Sequence, residues 1–190
     1  MIMIFPKSKL ESIDSILPLI YELKVNHNQK IFLIIQNEED LEIIKKNIFI
    51  YDTLLKCAKV IVLKKKIFLL NKIRQIYFLF YFFFHNLISS KFIHFGFFDN
   101  GYFRYLNLLF SNNFFRAQSN SYFDNRRNLI KKMLIINEKL NFTYSKNIIA
   151  LNEDFKNKIN FKNKNIFFYT KPRLRNIWKN YTKKNSDYYF

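Results

Sequence analysis

With 190 residues, 49% of them hydrophobic and 19% aromatic, the chain is long enough for one domain with a substantial core and too apolar to be disordered by default. Its 2 Gly and 3 Pro exclude a G-x-G-x-x-G dinucleotide loop and a Walker loop, and 1 Cys with 3 His are too few for a structural zinc site or a disulfide framework. Against 14 acidic residues stand 32 Lys and Arg, a formal net charge of +18 that is open to two readings: attraction to polyanions, or the Lys-, Asn- and Ile-rich composition of an AT-rich genome.

Seven short apolar runs recur along the chain, at residues 1–5, 30–36, 59–63, 91–96, 114–118, 147–151 and 165–170, each ending in polar residues and followed by a stretch that reads as helix. The alternation predicts an α/β fold, a doubly wound, mostly parallel Rossmann-like sheet of about six to seven strands with helices on both faces. Residues 1–182 read as a single domain and 183–190 as a patternless tail that frays.

The first run ends at Pro6, and no pattern of a cleavable signal is visible around it. Leu10, Ile13, Ile16, Leu17, Ile20, Tyr21 and Leu23 then recur at spacings of three and four, one face of a helix over 10–26, with Ser8 as its cap, Glu11 three residues on, and Pro18 expected to kink or divide it. The second run, 31–35, is apolar throughout, which predicts burial on both faces. Asn37, Glu38, Glu39 and Asp40 open the next helix, where carboxylates suit the positive end of the dipole. Cys57, just before the third strand, reads as a small buried residue.

Residues 67–90 raise the question of a membrane. Their apolar centre, 76–84, is interrupted by His85 and Asn86, whereas a span needs about 20 apolar residues. A buried helix is the first expectation and an aromatic, basic helix lying in the membrane interface the second. After the fourth strand a helix is predicted over 102–110, a polar loop over 119–127 and a helix over 129–140. Pro172 begins a terminal helix in which Trp178 is an anchor against the sheet.

Candidate chemistry lies where strands end, because ligands of open parallel sheets bind beyond the carboxyl ends of the strands. Lys7, Ser8 and Lys9 stand at a helix start able to hold an anion, or form a solvated loop with an N-cap. His94 has the ordinary pKa of a general base, but Phe92, Ile93 and Phe95 around it favour a hydrogen-bonded core histidine. Arg116, Gln118, Ser119 and Asn120 are the densest polar group at a strand end. They are suited to clamp a phosphate or carboxylate and read sugar hydroxyls, or equally to hydrogen-bond under the following loop. Asp99 and Asp124 are isolated and make no metal site, and Lys171 and Arg173 after the last strand suit a phosphate or simply solvent.

Three segments carry a resemblance: Phe5-Pro6-Lys7-Ser8-Lys9 with the helix through Leu17-Pro18-Leu19; His94-Phe95-Gly96 leading to Phe114-Phe115-Arg116-Ala117-Gln118-Ser119; and Phe168 through Lys171-Pro172-Arg173 to Trp178. In this order the chain resembles the amino-terminal half of bacterial glycosyltransferases of the GT-B fold, which have two facing Rossmann-like domains, and within them enzymes of capsular and surface polysaccharide synthesis. The resemblance implies an acceptor-side domain working with a nucleotide sugar and a glycan or lipid-linked acceptor. It also implies a second glycosyltransferase domain or subunit that completes catalysis and holds most of the donor. A base taking the proton of the attacking hydroxyl would be sought among Glu11, Asp14, His94 and Asp99. No cofactor or metal is implied. The expected location is cytoplasmic, with an anionic membrane surface as a further partner. Two non-catalytic readings stand beside this one. Nucleic-acid binding is supported by charge and aromatics but disfavoured because the aromatics lie inside apolar runs; peripheral membrane attachment would run through residues 67–88.

Overall fold

The computed structural model describes residues 1–7, 10–64, 68–117, 143–150 and 164–168. Seven strands form one sheet: β1 (Ile2–Phe5), β2 (Ile31–Asn37), β3 (Lys59–Lys64), β4 (Lys91–His94), β5 (Phe114–Ala117), β6 (Asn147–Ala150) and β7 (Asn165–Phe168). Every pairing is parallel and the order is β3-β2-β1-β4-β5-β6-β7. The chain therefore steps outward from β1 to β3, returns to the other side of β1, and steps outward again. The carboxyl ends of β1 and β4, paired from Ile2↔Lys91 to Phe5↔His94, flank the point where the direction reverses.

The helices α1 (Leu10–Val25), α2 (Glu38–Lys45) and α3 (Ile48–Cys57) connect the strands on one side of that point, and α4 (Phe68–Leu87) and α5 (Arg104–Leu109) serve the other. Crossovers between parallel strands are right-handed, so reversing the direction of stepping places the two sets on opposite faces. Alternation along each strand then sorts the core. Ile4, Leu33, Ile35 and Ile93 meet Ile13, Leu17 and Ile20 of α1 and Phe49, Ile50 and Leu54 of α3. Met3, Phe5, Phe92 and Phe114 meet Phe78 and Phe82 of α4, Phe98, and Leu106 of α5. One layer is largely aliphatic and the other is built of phenylalanine, with Phe98 at its centre: its ring lies 4.7 Å from Phe5 and from Phe114, both edge-on or nearly so.

The seven predicted strands all form, and β2 is buried through Ile31–Ile35 as its unbroken apolar run requires. Pro18 neither divides nor ends α1, which runs unbroken through it. The missing N–H deprives only the carbonyl of Asp14, four residues back, of its helical donor. The helix opened at Glu38 is in fact two, because Asn47 stops it and caps α3 by accepting from the Ile50 N–H at 3.1 Å. Cys57 closes α3, buried, with burial pushing its thiol pKa up. Within the segment read as 67–90, Phe68–Leu87 form a 20-residue helix, and among the described residues no helix is long and apolar enough to cross a membrane. The predicted helices over 129–140 and around Trp178, the loop over 119–127 and the tail 183–190 lie outside the described residues.

Candidate functional site

Beyond the carboxyl ends of β4 and β5 lies a cluster of polar side chains with very little exposure. His94 and Arg116 are register partners, so both project on the phenylalanine side of the sheet. Phe97–Asp99 follows β4 as a single 3-10 turn, entered through Gly96 at φ +114°, in the left-handed region that favours glycine. A Cβ there would stand 3.3 Å from Arg116 Nη2, so glycine also lets the guanidinium lie against the backbone.

Arg116 Nε donates to Asp99 Oδ2 at 2.7 Å and its Nη1 to the carbonyl of Ala117. The two side chains are only 11% and 17% exposed, which makes this a nearly dry ion pair. The Thr143 hydroxyl donates to the other Asp99 oxygen. Asn107, on α5, donates to the Phe98 carbonyl at 3.2 Å and to Thr143 Oγ1 at 3.5 Å. The Ser145 hydroxyl donates to Asn107 Oδ1 at 3.0 Å. Half-buried Lys164 donates to the Thr143 carbonyl at 2.7 Å. Burial, and secondarily the nearby Arg116, lower its pKa, while Asp99 acts in the opposite direction.

His94 is completely buried and doubly engaged. The Gly96 N–H donates to Nδ1 at 3.2 Å, so the ring proton sits on Nε2, which donates to Ser145 Oγ at 2.8 Å. Burial pushes its pKa down to about 3, Arg116 adding to the effect and Asp99 opposing it. Although His94 and Ser145 are neighbours, the protons run from imidazole to serine to Asn107, the reverse of what an activated nucleophile requires. In this arrangement the imidazole accepts no further proton. It is a neutral fastener between β4 and the strand-entry segment of β6.

The fold thus unites His94, Asp99 and Arg116 among the residues singled out from sequence. Asp14 is exposed on α1, and Lys7 is half-buried just beyond β1. Glu11 lies in the first turn of α1. Ser8, Lys9, Gln118, Ser119, Lys171 and Arg173 lie outside the described residues. Sequence reasoning missed Asn107, Thr143 and Ser145, which carry half the network. Each is a polar residue of ordinary type with no local pattern, and only the approach of distant segments gives them a role.

Two of the hollows among the described residues lie at strand ends of the sheet. One, lined by Pro6, Lys7, Ile13, Gln36 and Asp40 at the carboxyl tips of β1 and β2, has about 10 Å³, room for about one water. The other, about 630 Å³ and open, lies at the amino ends of β2 and β3, with Lys24, Lys30, Lys56 and Lys59 around it. Lys24 and Lys56 stand in the last turns of α1 and α3, where cations answer the negative end of the helix dipole, so their presence needs no ligand. Among the described residues no group of His, Cys, Asp or Glu could hold a metal ion. Comparison with protein-family models, with curated proteins and with solved structures finds no match to this chain.

Proposed function

We propose that this chain is an acceptor-side, Rossmann-like domain of a glycosyltransferase of surface polysaccharide assembly, which positions the hydroxyl-bearing substrate for sugar transfer and works with a second domain that holds the nucleotide sugar. The observation carrying the proposal is the reversal of strand order between β1 and β4, because open parallel sheets bind ligands at that crevice. Lys7 beyond β1, and Gly96 with the Arg116–Asp99 pair beyond β4 and β5, stand at its rim. With His94 and Asp99 both committed to the buried network, the contribution of this region is a fixed floor rather than a free base. The proton of the attacking hydroxyl then goes to a group outside that network.

Titration of the 15N-labelled chain tests this reading. Short glycans or a micelle-borne polyprenyl phosphate are expected to shift the amides of Lys7, Gly96 and Asp99 first, with nucleotide sugars perturbing them weakly. Failure of every acceptor to move those amides overturns the reading. Saturable binding of a random oligonucleotide that weakens steeply with salt would replace it with nucleic-acid binding.

A further inference from the structure

The outer face of α4 is apolar from Ile73 to the end of the helix. Ile73, Tyr77, Phe80, Phe84 and Leu87 recur at alternating spacings of four and three, and each is more than half exposed. Ile76 and Ile88, equally exposed, widen the stripe to about 120° of the helix surface, and from Ile73 to Ile88 it runs about 22 Å. This stripe is distinct from the face of α4 that holds the core, where Phe78 and Phe82 are buried, and Phe83 meets Phe110 with its ring 5.6 Å away. Helix α5 and the turn before it continue the surface with Tyr102, Tyr105, Leu108 and Leu109, all exposed. A surface of this extent is larger than the scattered apolar residues normal on a monomer.

The charge around it has one sign. Neither α4 nor α5 carries an acid. Arg74 lies at the amino end of the stripe, Lys30 near its carboxyl end beside His85, and exposed Arg104 packs over the ring of Tyr105 on α5. A second copy of the chain applied to this face would set cations against cations. Aromatic and aliphatic side chains rimmed by cations match the acyl–headgroup boundary of an anionic bilayer, where Phe and Leu enter, Tyr sits at the interface and Lys and Arg meet the headgroups.

We propose that the outer faces of α4 and α5 form a docking surface for anionic lipid bilayers, with α4 lying in the plane of the interface. The proposal does not rest on sugar transfer, and its test reads no glycan or nucleotide.

The test is flotation of the full chain with vesicles of phosphatidylcholine alone and of phosphatidylcholine mixed with phosphatidylglycerol. The wild type is expected to float with the mixed vesicles, less with neutral ones and less as salt rises. Phe80→Glu with Phe84→Glu should lower partition by roughly tenfold for each side chain. Tyr105→Glu with Leu109→Glu should give a smaller loss from the α5 side. All four positions are exposed, so circular dichroism melts of both variants should match the wild type. Flotation of the α4 variant equal to wild type, or a wild type indifferent to phosphatidylglycerol, overturns the proposal. So does a wild type that fails to float but sediments as a dimer which the α4 variant dissociates; that result would make a second copy the occupant.

Discussion

The two faces of the sheet are built on opposite plans. On one, aliphatic strand residues meet α1, α2 and α3, and every acidic residue of the described α-helices lies there, Asp14, Glu39 and Glu42 among the exposed ones. On the other, phenylalanines fill the core, and α4 and α5 turn a second apolar face outward with no carboxylate on either helix. The polar network of His94, Asp99, Asn107, Arg116, Thr143 and Ser145 sits on this second face only. The first layer exposes carboxylates among scattered apolar side chains such as Ile43, Ile48 and Leu55, as a monomer's surface does. The other holds both the buried polar chemistry and the uncovered apolar surface. Both features lie on the phenylalanine side of the sheet.

The sharpest test of that contrast is at its centre. Phe98→Ala removes the ring that touches Phe5, Phe92, Phe103 and Phe114, and should cost about 3–5 kcal/mol in urea or thermal unfolding. A loss under about 1 kcal/mol would mean the aromatic layer is loosely packed and that the contrast between the faces is one of composition alone.

Arg116→Ala should be nearly as damaging, about 3–5 kcal/mol, because it strands the Asp99 carboxylate in a site with little access to water. Burial is the cause, so the effect should persist at high salt, where an exposed pair would be screened. Disappearance of the effect in salt would place the pair at the surface and remove it from the network.

The smallest effect is a slope with pH. His94 is neutral in the folded chain down to about pH 3, whereas in the unfolded chain it titrates near 6.5. Between those values the unfolded state binds one more proton, so stability contributed by neutral His94 is complete above about pH 6.5 and falls as pH falls, by about 1.4 kcal/mol per unit. His94→Gln should flatten the acid limb of the stability curve by that amount relative to wild type. His85, whose pKa burial also lowers, adds a further slope that both proteins share. Equal acid limbs in the two proteins would show that His94 is hydrated and open to protons.

The alternation of apolar runs and helical stretches established the α/β class, all seven strands and the burial of β2 on both faces, because periodicity and run length record which sides of an element meet apolar neighbours. It also marked His94, Asp99 and Arg116 as strand-end residues. Three things came from tertiary structure alone. The partners of those residues, Asn107, Thr143 and Ser145, join across as many as 51 positions, and hydrogen bonds between distant segments leave no periodic trace. The proton order through His94 follows from the Gly96 N–H on Nδ1, a matter of backbone geometry. The division of α4 into a core face with Phe82 and an outer face with Phe80 and Phe84 was hidden because the helix is apolar almost all round, and composition cannot say which of two greasy sides the sheet will cover.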